Sequence, residues 1–318
     1  MHIDIYIALA GLIVGFTVGL TGMGGGALMT PILVLLFHIQ PLAAVSSDLV
    51  AAVVMKPVGS AVHLRHGTVN KTLVKWLVIG SVPFAFVGVL VLNSLGNGKV
   101  VQDRIKLTLG FALLLACASI VFKGLVQLRQ WGKDHQIELA GGTPPPPKAF
   151  KIRPVPTMVI GAVGGLVVGM TSVGSGSLII VLLLLLYPSL RAGQLVGTDL
   201  VQAVPLVASA ALGHLIFGDF QLALTTSLLI GSIPGVYFGA RVSSRAPGGL
   251  VRRALVVVLL ASGLKLVNVE TTTLAWIIGT VVLVGPVLWM GARRASGLQP
   301  RPPRTQPEVL QTPVEASR

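Results

Sequence analysis

The sequence predicts an all-α polytopic membrane protein, duplicated into two inverted repeats with one extra C-terminal helix. Three observations carry that prediction. Of 318 residues, 53% are hydrophobic and only 11% charged, and the mean hydropathy is +0.86. A soluble domain carries about 25% charged residues, so this chain lacks the polar surface that water requires. The apolar runs are also long and continuous, which excludes the short alternating segments of a membrane β-barrel. Finally, the runs recur. Thr21-Gly22-Met23-Gly24-Gly25-Gly26 interrupts one apolar stretch, and Thr171-Ser172-Val173-Gly174-Ser175-Gly176 interrupts another about 150 positions later.

Taken in order, residues 4–20 form an apolar helix, the first glycine break follows, and 27–38 form a second short helix. A full span needs about 20 residues, so each arm is marginal alone. Apolar segments follow near 44–64, 74–95 and 105–123. Directly after Lys123, residues 124–153 combine Arg129, Lys133, Lys148, Lys151 and Arg153 with the run Pro144 to Pro147, which favours extended polyproline conformation over helix. The second half repeats the plan with 155–170, the second break, 177–187, 194–216, 222–241 and 250–267, and a segment at 273–291 stands alone. The expected organisation is therefore a first repeat over 1–123, a cytoplasmic linker over 124–153, a second, inverted repeat over 154–267, an extra transmembrane helix over 268–292 and a disordered tail over 293–318. Met1-His2-Ile3-Asp4 lacks the positive region that opens a signal peptide; a retained N-terminus is expected.

The duplication can be read residue by residue. Gly11, Gly15 and Gly19 match Gly161, Gly165 and Gly169 at helical four-residue spacing. With one extra residue in the second half, Ser47-Asp48-Leu49 matches Thr198-Asp199-Leu200, His63 matches His214, and Gly80-Ser81-Val82-Pro83 matches Gly231-Ser232-Ile233-Pro234. Charge then orients the halves. The loop with Arg65, Lys71 and Lys75 is basic, whereas its counterpart at Gly218-Asp219 has no Lys or Arg. Arg241, Arg245, Arg252 and Arg253 make a second basic loop, whose first-half counterpart is nearly bare until Lys99. Corresponding loops face opposite sides, as inverted repeats require. Counting crossings then makes 4–38 and 155–187 hairpins that enter and return, with the glycine breaks at their turns. The N-terminus is expected outside and the C-terminus in the cytoplasm. The net charge of +14 follows from these loops and needs no nucleic-acid partner.

Backbone groups freed at membrane depth are tolerated only against protein or a water-filled cavity, and paired breaks in two halves mark the substrate site of an inverted-repeat transporter. The helices that start after the breaks offer amide groups and a positive dipole end to an anion, and successive glycine or serine amides form anion-cradling nests. Gly22, Gly24, Gly25, Gly26, Ser172, Gly174, Ser175, Gly176 and Ser177 are therefore the candidate substrate ligands. Lys56, inside an apolar segment and followed by Pro57, joins them, because an intramembrane lysine needs a cavity or an ionic partner. Its repeat equivalent is Val207. Asp48 and Asp199 near matching helix starts read either as helix caps or as proton sites, and His63 and His214 either as helix-end partners or as proton shuttles. Gly11, Gly15 and Gly19 read as close helix packing. Cys117 is a buried hydrophobe. No metal-ligand spacing, catalytic constellation or ATP-binding motif is present, so neither a cofactor nor enzymatic activity is expected.

These motifs, with His63-Leu64-Arg65-His66-Gly67-Thr68-Val69, resemble the TauE/SafE family of sulfite exporters over roughly residues 5–267. The family often carries an acid where this chain has Asn70. The resemblance implies a duplicated helical membrane protein of the bacterial plasma (inner) membrane that carries sulfite, sulfonates or related organic acids. A secondary transporter for a small anion is the expectation, with a passive anion channel and an importer of a small carboxylate as alternatives. The expected partners are the small anionic substrate and the lipid bilayer; a homo-oligomer is left open.

Overall fold

The computed structural model describes residues 4–21, 25–65, 67, 69–94, 99–139, 141, 152–174, 176–187, 190, 192–243 and 248–295. The described residues form eleven helices: α1 (Ile5–Thr21), α2 (Gly26–Leu35), α3 (Pro41–Arg65), α4 (Lys71–Ser94), α5 (Lys99–Leu139), α6 (Pro154–Thr171), α7 (Leu178–Leu186), α8 (Ala192–Phe217), α9 (Leu222–Ser243), α10 (Gly248–Leu266) and α11 (Thr271–Ala295). Seven are long and apolar enough to cross a membrane, and α1 and α2 are shorter apolar helices. The second glycine break separates α6 from α7; at the first, α1 is described to Thr21 and α2 begins at Gly26, with 22–24 outside the described residues.

Two expectations change. The segment from 124 to 139, expected as linker, continues α5 to Leu139. The cations after Lys123 mark where apolar sequence stops, but a helix persists beyond that point when its residues have adequate helix propensity. The proline run at 144–147 and the tail beyond Ala295 lie outside the described residues. The helices carrying Asp48 and Asp199 also begin earlier than expected, at Pro41 and Ala192. Both acids therefore sit about two turns inside, where they cannot cap their own helices.

Small residues set the packing. A methyl group built on Gly231 would strike the Ala8 carbonyl, and Gly235 and Gly239 press in the same way on Leu12 and Phe16. Gly11 and Gly15 answer from α1, facing Leu228 and Ser232. The other half repeats this with Gly161, Gly165 and Gly169 of α6 against Leu77, Ser81 and Ala85 of α4, and Gly80 and Gly88 against Met158 and Leu166. Such close backbone approach is the use of small residues in helix pairs that have no hydrophobic drive to associate. The first helix of each half thus packs on the fourth helix of the other, α1 on α9 and α6 on α4. The halves are interleaved.

Residue pairing also gives direction. Along α1 and α9, contacts advance together from Ala8 with Gly231 to Phe16 with Gly239, so the two helices are parallel. Ser47 meets Gln221 and Thr225, and further along Met55 clusters with Val236, which makes α3 parallel to α9. Hence α1 and α3 point the same way, and the chain must turn back between them through α2. In the second half, α6 parallels α4, and α4 parallels α8 through Asn70 with Thr198, Ser81 with Gln202 and Ser209 with Val82. The chain between α6 and α8 must likewise return through α7. By contrast α3 and α8 are antiparallel, with Ser46 on His214 and Ser60 on Leu200.

The extra helix α11 has no buried residues and exposes Trp276, Leu283 and Leu288. Its glycines Gly279, Gly285 and Gly291 have open space around them. This contrast supplies a test. Gly231→Val should destabilise the purified protein by about 1–3 kcal/mol or more, read as a lower thermal midpoint in detergent. Gly279→Val should leave the midpoint unchanged.

Candidate functional site

The two breaks meet. A methyl group on Gly26, the first residue of α2, would collide with the carbonyl oxygen of Ser172, the residue that ends α6. Gly26 and Ser172 are both buried, so only a residue without a side chain lets these two backbones touch. Gly25 has more room, with a built methyl 3.5 Å from the end of Met55.

How the second break survives in apolar surroundings is visible bond by bond. Ser172 adopts a left-handed conformation, φ 60°, and donates its amide to the Val168 carbonyl, an end-of-helix geometry usually left to glycine. The Thr171 hydroxyl, bonded to the Val167 carbonyl, also accepts the Val173 amide. Gly174 and Gly176 have φ values of 126° and 96°, which side chains rarely tolerate. The Gly174 carbonyl then receives the amides of Ser177, Leu178 and Ile179 at 3.4, 3.0 and 3.4 Å. The amides at the start of α7 are therefore engaged within the break, where the sequence pattern alone leaves them bare. At the first break the Gly25 carbonyl receives the amides of Leu28 and Met29 at 3.0 and 2.9 Å.

Acid side chains complete the junction. Asp48 of α3 accepts through Oδ2 a hydrogen bond from Thr30 of α2 at 3.0 Å and another from Ser172 at 2.7 Å. One carboxylate oxygen thus ties the helix after the first break to the end of the helix before the second. Its other oxygen, Oδ1, is buried without a hydrogen-bond partner, as is the Ser177 hydroxyl. Asp199 of α8 accepts from Gln202 at 3.1 Å and from the amide of Gly176. The capping expected of these acids is therefore tertiary: Asp199 caps the backbone ahead of α7, not its own helix.

Lys56 is 7% exposed and interacts electrostatically with both Asp199 and Asp48. Lys123 of α5 acts on Asp199 as well. Val207, which the sequence register matches to Lys56, is buried, so the lysine enters the centre from one half alone. His214 is fully buried, its Nε2 2.8 Å from the Gly169 carbonyl and its Nδ1 2.8 Å from the Ser46 hydroxyl. A carbonyl only accepts, so Nε2 carries a proton and the ring locks α8 to α3 and α6.

Of the residues singled out by sequence, Gly25, Gly26, Ser172, Gly174, Gly176, Ser177, Lys56, Asp48 and Asp199 thus belong to one buried neighbourhood or its immediate lining. Gly22, Gly24 and Ser175 lie outside the described residues, as does the side chain of His63. Thr30 was not foreseen. Its one signal is a hydroxyl inside an otherwise apolar helix next to a break, which is too common a feature to single out.

Comparison with known proteins adds a relationship. Residues 7–266 match the family described as Sulfite exporter TauE/SafE. In Bacillus subtilis (strain 168), the probable membrane transporter protein YjnA is 37% identical over 270 residues, covering 83% of this chain and 100% of that protein. The probable membrane transporter protein YdhB of the same organism is 25% identical over 261 residues, covering 82% and 98%. No solved structure matches the chain.

The junction makes a measurable claim. Ser172→Ala and Thr30→Val each remove one donor from a buried carboxylate and should cost about 1–3 kcal/mol of stability. In a double-mutant cycle with Asp48→Asn, each pair should depart from additivity by about 0.5 kcal/mol or more, as read from unfolding midpoints in detergent.

Proposed function

Because the chain belongs to the sulfite exporter TauE/SafE family, we propose that it is a secondary transporter for a small anion, sulfite or an organosulfonate, held where the two breaks meet. The observation that carries this reading is the contact of Gly26 with Ser172 beside a buried lysine. Paired interruptions at mid-membrane are where inverted-repeat carriers bind their substrates. In this reading Lys56 supplies the countercharge, while the hydroxyls of Ser172 and Ser177 and the glycine amides of both breaks supply directed donors. A buried ammonium is a compact, strongly hydrated charge, suited to a small oxyanion that replaces its lost water.

The topology proposed with it sets the repeats in opposite orientation across the plasma (inner) membrane, with the N-terminus outside and the linker and tail in the cytoplasm. The antiparallel course of α3 and α8 supports the inversion. The parallel course of α1 with α3, and of α6 with α8, supports two hairpins that enter and return. Alternating access exposes the junction first to one side and then to the other.

The test is counterflow in reconstituted vesicles. Labelled sulfite or a small alkanesulfonate should enter faster when the vesicle is preloaded with the same anion unlabelled. Lys56→Gln should lower that rate at least tenfold, with the elution profile of the purified protein unchanged. Flux that follows the electrochemical gradient without stimulation by preloading would instead identify a channel. Faster uptake of a carboxylate than of either sulfur anion would assign the importer reading.

A further inference from the structure

The donors that an anion would use at the junction are held by the protein's own carboxylates. Ser172 and Thr30 donate to Asp48, and the Gly176 amide donates to Asp199. A carboxylate is itself an oxyanion, so these bonds show that the donor set has the stereochemistry to hold one. They also show that a second oxyanion must compete for it. An ionised carboxylate only accepts hydrogen bonds, whereas a protonated one carries an O–H donor. We propose that Asp48 is the coupling site of the transporter: the anion binds when Asp48 takes up a proton, and anion and proton cross together in the same direction. This rests on the anion-transport reading above.

Three observations select Asp48 over the other acid. It spans both breaks, so losing its bonds to Thr30 and Ser172 loosens the contact between them. Its Oδ1 is fully buried with no hydrogen-bond partner, an atom where a proton can be carried without breaking an existing bond. Asp199 by contrast is balanced by two cations, Lys56 and Lys123, and bonded by Gln202 and Gly176. The charged group that acts on Asp48 is Lys56 of its own helix, which also acts on Asp199 of α8; Lys123 of α5 acts on Asp199, and His214 of α8 bonds Ser46, two residues before Asp48. The neighbouring α2 and second break contribute hydroxyls, and α9 contributes Thr225 and Gln221 against Ser47. A monoanion added to this set shifts its charge by one negative unit, and one proton on Asp48 restores it.

The proton balance is simple. On the side of uptake, water delivers a proton to the Asp48 carboxyl, and Ser172 and Thr30 turn from the carboxylate to the anion. On the opposite side, the anion leaves, the proton returns to water, and the carboxylate recovers its two hydroxyl donors. A deprotonated carboxylate thereby ejects the anion, and a protonated one admits it.

The experiment uses the full chain in vesicles clamped at zero potential with potassium and valinomycin and loaded with a pH-sensitive dye. A small alkanesulfonate is the preferred probe, because its fixed charge prevents it from crossing lipid in protonated form; sulfite is run beside it with protein-free vesicles as the background. Inward anion gradients should acidify the lumen with about one proton per anion. In Asp48→Asn the protons counted per anion moved should fall to near zero, whatever rate of counterflow remains. Anion flux in the unaltered protein without acidification overturns the coupling while leaving the transporter reading intact, and acidification persisting in Asp48→Asn moves the proton elsewhere and also overturns it. Absence of flux for sulfite, sulfonate and carboxylate alike removes the transporter reading, and the coupling falls with it. Should Asp48→Asn not fold, the proton count of the unaltered protein still decides.

Discussion

An interrupted helix in apolar surroundings must find partners for the backbone groups it frees, and every feature of this centre follows from that requirement. Hydrocarbon offers none, at a cost of several kcal/mol per group. The solution at the second break is local first: Thr171 takes the Val173 amide, and one Gly174 carbonyl takes three amides from the start of α7. What local bonds leave over is met from a distance by Asp199 at the Gly176 amide, while Asp48 holds the Ser172 side chain through its hydroxyl. The break is thereby fixed to α3 and α8, the two helices that cross antiparallel through the middle of the molecule.

Close backbone approach is what makes those distant partners reachable. Gly161, Gly165 and Gly169 lay α6 directly on the backbone of α4, and Gly11, Gly15, Gly231, Gly235 and Gly239 do the same for α1 and α9. Each broken helix is therefore clamped along its length by the opposite half. A residue of ordinary size at any of these positions would push the break away from its acid. The apolar cores reflect the exchange: one gathers side chains chiefly from α1, α2, α5, α9 and α10, with Ala44 of α3, and the other chiefly from α3, α4, α6, α7 and α8. Both apolar cores therefore combine helices from before and after the linker, so the packing does not follow the two sequence halves.

The breaks and their pairing were legible because glycine clusters inside apolar runs have few explanations, and the matched register of the two halves left little room for chance. The stripe of Gly11, Gly15 and Gly19 was legible as packing for the same reason, and for Gly11 and Gly15 the structure names the partners, Leu228 and Ser232. The partners of Asp48 were not. A carboxylate near a helix start suggests a cap by local rules, and only tertiary structure moves the helix start to Pro41 and brings Thr30 and Ser172 to the side chain. The stretch from 124 to 139 reads as linker from its charge, and α5 runs through it. Charge marks where a chain leaves lipid, while the helix ends where its own backbone bonds stop, and the two need not coincide.

The centre of the molecule is unequal in its charges where the sequence register of the two halves is matched. Both halves supply a break and an acid, yet only one supplies Lys56, and Val207 takes its place in the other. The acids differ too, since Asp48 bonds across the halves while Asp199 bonds within its own. A fully symmetric pair of acids would answer a bound anion equally from both sides and give no reason for one to be the proton carrier. Here the lysine acts on both acids, Lys123 adds to its effect on Asp199, and Asp48 is left with hydroxyl donors that can turn away. The glycine-lined packing of α1 on α9 and of α6 on α4 accompanies the meeting of the two breaks; on the coupling proposed above, the unequal charges around the two acids would decide which carboxylate takes the proton.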